Sequence, residues 1–223
     1  MASSIDNYAR VWDGRLDGIP DQPAEQLYAR GAHVAEALSA KTVAMVGARA
    51  CSGYGATVAR TFARELAAAG VTVVSGLARG IDGEAHRGAL DAAGRTVAVL
   101  GCGIDRDYPA AHADLARRIV ESGGIVSEYE PGTEPAPWRF PARNRIIAAL
   151  ADAVVIVEAR SRSGALITVD LAMEIGRPIY AVPGEITSAL SDGTNDLLRH
   201  GFATAITSAL DVLEALGIEG GSA

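Results

Sequence analysis

The sequence is short of cysteine, lysine and aromatic residues, and each shortage narrows what the protein can be. Its two cysteines, Cys51 and Cys102, show no CxxC spacing. They form no disulfide framework and read as reduced thiols of a cytoplasmic protein. Lysine occurs once, at Lys41, so every other cation is arginine. A formal net charge of −7 leaves no surplus of cations to coat nucleic acid or an anionic membrane, although a local basic groove stays open. Long apolar runs are missing too. Stretches such as Ala153 to Val157 are far too short to span a bilayer. The opening Met-Ala-Ser-Ser-Ile-Asp-Asn lacks a basic segment followed by an apolar one, so no secretory signal is expected.

What remains is ordinary for a globular protein. With 223 residues, 49% of them hydrophobic and 21% charged, the chain is long enough for one sizeable domain with a core. Residues 1–40 read as an N-terminal lead-in. Within it residues 1–22 are expected to be mobile or loosely docked, and Leu27, Val34 and Leu38 give Pro23 to Leu38 a helical period. Residues 41–217 carry the core, and the glycine-rich 218–223 are expected to be a disordered tail.

From Lys41 onward short apolar runs alternate with helical segments. The runs are Thr42–Val46, Val71–Ser75, Thr96–Leu100, Ile125–Ser127, Ala153–Glu158 and Pro178–Val182. The helices are expected near 56–69, 82–93, 111–122, 144–150, 165–175 and 208–216, with a long loop from Pro183 to Thr194. This rhythm predicts an α/β fold: a doubly wound, mostly parallel, Rossmann-like sheet with helices on both faces. In such a sheet the loops after the strands gather along one edge, where ligands bind.

The densest chemistry lies between Trp138 and Gly164. Arg139, Arg143, Arg145, Arg160 and Arg162 face only two acids there, Asp152 and Glu158. Guanidinium forks hold phosphate oxygens, and the adjacent Trp138 and Phe140 are rings on which a base can stack. The plainer reading is a solvated helix start beside core aromatics. Gly47-Ala-Arg49-Ala-Cys-Ser52-Gly-Tyr-Gly55 resembles a phosphate loop, because its glycines let backbone approach an anion at the start of the next helix. It is not a dinucleotide fingerprint, since Arg49 replaces the second glycine, nor a Walker loop. A tight turn with packing glycines is the alternative.

Ser75-Gly-Leu-Ala-Arg79-Gly-Ile-Asp82 adds a second arginine and a second helix start, with Asp82 as a helix cap. His86 shares a face with Asp82, but no further His or Cys is placed to complete a metal site, so no metal is expected. Ser163 and Gly164 open another helix after Arg160 and Arg162. No serine elbow or Ser/His/acid order suggests a hydrolase, and no catalytic residue is assigned.

Taken in order, these motifs resemble the DNA-processing protein A family (DprA, also called Smf). The resemblance rests on Gly47 to Gly55, Ser75 to Asp82, Val97-Ala-Val-Leu-Gly-Cys-Gly-Ile-Asp, Tyr108-Pro and Ser127-Glu-Tyr. It extends through Phe140-Pro-Ala-Arg-Asn-Arg-Ile-Ile, Ser163-Gly-Ala-Leu-Ile-Thr, Ala181-Val-Pro-Gly and Ser191-Asp-Gly-Thr-Asn. It implies a Rossmann-like core that binds single-stranded DNA, protects incoming strands and helps load the recombinase RecA during natural transformation. It also implies a homodimer without enzymatic activity or cofactor. The family's DNA-contacting motifs fall on Arg49, Ser52, Arg79, Phe140, Arg143, Asn144, Ser163 and Gly164, beside Gly55 and Arg139 in the same segments. Ala48 departs from the serine common at that position. The competing expectation is a sensor or phosphoribohydrolase-like enzyme for a small nucleotide in the same cleft, with Glu158 or Glu128 as its acid.

Overall fold

The computed structural model describes residues 8–23 and 26–218. Among them one sheet of nine strands forms: β1 (Ala9–Val11), β2 (Leu27–Arg30), β3 (Thr42–Val46), β4 (Thr72–Ser75), β5 (Thr96–Leu100), β6 (Gly124–Ser127), β7 (Ala153–Ile156), β8 (Ile179–Ala181) and β9 (Thr204–Ala205). Their order across the sheet is β1-β2-β6-β5-β4-β3-β7-β8-β9. From β6 to β9 every pairing is parallel, and only β2 runs against the rest, antiparallel to both β1 and β6.

The six apolar runs become the central strands because alternate side chains enter opposite cores. Ala44, Val46, Val154 and Ile156 point into one, with α1 (Val34–Ser39), α5 (Arg139–Leu150) and α6 (Gly164–Glu174) packed over them. Val43, Met45, Val155 and Val157 point into the other, beneath α2 (Gly53–Ala68), α3 (Ile81–Asp91) and α8 (Ala209–Ala215). The third cluster lies under α4 (Ala113–Ser122), where Leu115, Ala116 and Ile119 meet Leu100 and Ile125. Apolar residues at every position are what a strand covered on both faces requires. No described helix is long and apolar enough to cross a membrane.

The start of the chain departs from expectation. The lead-in does not lie loosely outside the core. β1 pairs with β2, and β2 pairs with β6, so the sheet itself extends to residue 9. The spacing of Leu27, Val34 and Leu38 belongs to a strand and a short helix, not to one helix. Leu27, Tyr28 and Ala29 are buried at consecutive positions, which a one-faced helix cannot do. Residues 24 and 25 of that expected helix, residues 1–7 of the lead-in and 219–223 of the expected tail lie outside the described residues. Ile218 packs against the core. Arg15 fastens the early chain: it pairs with Asp13 at 2.7 Å and donates to Thr42 Oγ1 and to Leu38 O, both at 2.7 Å. The expected loop from Pro183 also ends early, because α7 (Asp192–Arg199) begins inside it.

One buried group ties folding to pH. His86, on α3, is fully buried, and its Nδ1 lies 2.7 Å from Thr96 Oγ1. The Thr96 hydroxyl donates its hydrogen to Val73 O at 2.7 Å, so Nδ1 is the donor and Nε2 keeps a lone pair without a partner. Burial, with His112, Arg143 and Arg87 adding positive charge, pushes the His86 pKa down to about 3. An unfolded histidine takes up a proton near pH 6.5, which this folded one refuses. Stability is therefore complete above pH 6.5 and falls by about 1.4 kcal/mol per pH unit below it, down to about pH 3. Urea unfolding at pH 5 is expected to show a loss of about 2 kcal/mol relative to neutral pH from this group. His86→Asn should lose that component, whatever its absolute stability; an identical pH profile in wild type and variant would contradict the assignment.

Candidate functional site

The chain passes from β3 through β4 and β5 to β6 in one direction, then returns to place β7 on the other side of β3. The carboxyl ends of β3 and β7 thus flank the point where the winding reverses, and the loops that follow them diverge and leave a crevice. A cleft of about 590 Å³ lies there. Its walls come from the loop after β3 (Gly47, Ala48, Arg49, Ala50), from Pro137, Phe140, Pro141, Arg143 and Asn144 around the start of α5, and from Arg160, Ser163, Gly164 and Ala165 around the start of α6. Loops separated by more than a hundred residues therefore converge, as the strand–helix rhythm predicts.

Six of the ten sequence-derived candidates line this cleft: Arg49, Phe140, Arg143, Asn144, Ser163 and Gly164. Arg49 is exposed and makes no hydrogen bond or ion pair among the described residues; its guanidinium sits 5.4 Å from the centre of the Phe140 ring. Phe140 stacks on Tyr108 at 5.3 Å with 21° between the rings. Asn144 donates to Gly164 O at 3.2 Å and so ties α5 to the first residue of α6. Ser163 Oγ is buried without a partner, and the space beyond Gly164 is open. The N-terminus of α6 consequently presents unused donors to the cleft.

The N-terminus of α2 is different. Glu158 lies over it, 3% exposed, accepting from Ser52 N at 2.9 Å and from the Ser52 hydroxyl. Ser52 Oγ also accepts from Gly55 N at 3.0 Å, capping the helix. A Cβ on Gly55 would come within 2.4 Å of the Glu158 carboxyl carbon, so only glycine fits. The loop from Gly47 to Gly55 is thus an anion-binding turn, but the protein's own carboxylate fills it. Ser52 and Gly55 stand outside the cleft lining. The physical reason is economy of charge: a buried carboxylate needs several donors, and a helix start supplies them.

Arg143 is the second departure. The expectation of a phosphate-holding arginine meets a side chain only 3% exposed. Its Nη1 donates to Gly76 O at 2.7 Å and to Val99 O. A Cβ on Gly76 would lie 2.6 Å from Arg143 Nη2, so Gly76 exists to admit the guanidinium. Burial, with Arg49 nearby, lowers its pKa to about 10, opposed by the charge of Asp82. Asp82 is pushed up by burial, with Arg143 the largest opposing influence. At neutral pH the guanidinium stays charged and serves as an internal strut that also floors the cleft.

Of the other arginines, Arg145 forms a two-pronged pair with Glu128, at 2.9 and 2.6 Å, and is structural. Arg139 lies outside the lining, with its guanidinium 4.8 Å from the Trp138 ring and 5.1 Å from the Tyr129 ring. Arg79 is exposed, with no partner among the described residues, on the loop after β4, which packs on Arg49's loop through Ile81 N and Ala48 O at 3.2 Å. Two residues join that were not chosen from sequence. Arg160 is exposed, lies in the lining and is unpaired among the described residues. Tyr108 is 43% exposed and completes the aromatic pair. Arg160 was visible as one arginine of a cluster. Tyr108, 32 residues before Phe140, stands in the Tyr108-Pro segment of the family resemblance, which gives it no site role. Both acids of the nucleotide-enzyme alternative are committed, Glu158 to Ser52 and Glu128 to Arg145.

Comparison with known proteins bears on this geometry. The model of a family described as DNA recombination-mediator protein A matches residues 5–217. A relative from Mycobacterium tuberculosis, named as a DNA processing protein DprA, is 49% identical over 191 residues, covering 86% of this chain and 49% of that one. The chain therefore spans about half the length of that relative. Among solved structures, DNA processing protein A from Streptococcus pneumoniae superposes with a TM-score of 0.88 at 41% identity, over 94% of this chain and 75% of that one. DNA processing protein A from Helicobacter pylori gives a TM-score of 0.85 at 33% identity, over 94% of this chain and 95% of that one.

Proposed function

The chain belongs to the DNA recombination-mediator protein A family, and from that premise we propose that its cleft binds single-stranded DNA as a step in recombination, without catalysing a reaction. One observation carries the reading: at the carboxyl edge of an acidic protein, the cleft joins two exposed arginines, Arg49 and Arg160, to an aromatic pair and a free helix start, with Arg79 and Arg162 exposed on the adjoining loops, and none of the four makes a side-chain hydrogen bond or ion pair among the described residues. Arginines meet phosphates, rings meet bases, and neither contact reads sequence. The Helicobacter pylori relative is described for its single-stranded DNA binding mode, which supports the same assignment here.

In this reading one phosphate rests at the start of α6, on the N–H groups near Gly164 and the Ser163 hydroxyl. Arg49 and Arg160 hold its neighbours. Phe140 and Tyr108 accept a base. The start of α2 takes no phosphate because Glu158 occupies it. Protection of incoming strands, assistance to RecA, action as a homodimer and a cytoplasmic location follow from the family resemblance and complete the proposal.

The test is fluorescence anisotropy with labelled oligo-dT against a duplex competitor of equal length. Single strand should be preferred. Four arginines predict a slope of log affinity against log salt of about −2 to −3, at roughly −0.7 per phosphate contacted. Equal affinity for duplex, or a slope near zero, would sink the proposal.

A further inference from the structure

Trp138 is the most exposed aromatic ring among the described residues, at 63%. It lies just outside the cleft: Pro137 before it and Phe140 after it are lining residues, and Trp138 is not. An indole in that position normally finds cover, since its faces are apolar and large. Here one neighbour is Arg139, whose guanidinium lies 4.8 Å from the Trp138 ring and 5.1 Å from that of Tyr129. The same guanidinium donates to Glu134 O, which fixes it in place. Glu134's carboxylate does not cancel the charge, because it pairs with Arg106 at 2.7 Å. The rim of the cleft thus holds a cation in contact with two rings, one of them largely open to solvent.

We infer that Trp138 is a second stacking platform, which takes a base of the DNA strand where it leaves the cleft. The inference rests on the cleft binding single-stranded DNA and extends that site by at least one nucleotide. A polyanion with flat apolar bases matches both halves of the feature. The indole face takes a base, and Arg139 beneath it draws the adjoining phosphate. Contacts of Arg139 with the two rings and its bond to Glu134 O hold the platform in place before DNA arrives, so little order is lost on binding. A protein partner would need a wider apolar surface than one ring, and the flanking residues Gly132, Glu134 and Pro137 are exposed and mixed in character.

The chain has two tryptophans, Trp12 and Trp138. Trp12→Phe therefore leaves Trp138 as the single reporter. In that variant, a long oligo-dT should quench most of the remaining emission, with a midpoint equal to that of binding by anisotropy. A very short oligo-dT that fills only the cleft should bind with little quenching. Trp138→Ala should weaken the long strand roughly 5- to 150-fold and leave the short one nearly unchanged. Binding of the long strand with Trp138 emission intact, or an unchanged affinity in Trp138→Ala, overturns the platform while the cleft reading stands. Absence of binding at any length overturns both. Quenching by an unrelated protein but not by DNA would assign the ring to a protein partner instead.

Discussion

Arg143→Ala is expected to lower folding stability by about 3–5 kcal/mol, measured by urea unfolding at neutral pH. The variant would leave the carbonyls of Gly76 and Val99 without their donor, and Asp82 buried without the charge that opposes its burial. It would also open a space that Gly76 cannot fill. This differs in kind from the loss of a phosphate contact, which would reduce affinity and leave the unfolding curve in place. Arg143→Lys should recover only part of the loss, because a compact ammonium can replace the Nη1 donor but not the planar group that fills the space beside Gly76. Normal unfolding of Arg143→Ala, combined with weakened binding, would return this residue to the DNA surface.

Phe140→Ala is expected to cost roughly 1–3 kcal/mol of single-strand affinity. The ring is half-buried, lines the cleft and stacks on Tyr108. Its removal takes away a stacking face and no charge. The salt dependence of binding should therefore keep its slope while the whole line drops. Arg49→Ala should do the reverse and flatten the slope by about 0.7, the share of one phosphate. Measuring the two variants across the same salt series separates stacking from charge. A changed slope in Phe140→Ala would mean that the ring acts by positioning Arg49, which lies 5.4 Å away.

Much of this was legible in the chain. Apolar runs at Thr42–Val46, Thr96–Leu100 and Ala153–Ile156 are buried strands because, past the opening Thr42 and Thr96, every residue on either face is apolar. Their alternation with helices implies parallel crossovers, and parallel crossovers imply that the loops following the strands share an edge. This local logic brought Arg49, Phe140, Ser163 and Gly164 together without any contact being known. Strands with little local pattern escaped it. β2 carries three buried residues in a row and is a strand through its pairing with β6, which lies nearly a hundred positions later.

The roles of individual charges were decided by tertiary structure. Arg143 and Arg49 look alike in sequence, yet one is spent on carbonyls 67 and 44 residues away and the other remains open. Ser52 and Gly55 form a convincing phosphate turn until Glu158, 106 residues later, arrives on it. A side chain's composition sets what it can bind. Which partner it meets depends on the groups the fold places within about 3 Å, because a buried charge or donor must be satisfied by whatever lies there. The sequence alone therefore determined the sheet, the edge and the chemical type of the cleft, while the packed structure decided which helix start and which arginines were left free.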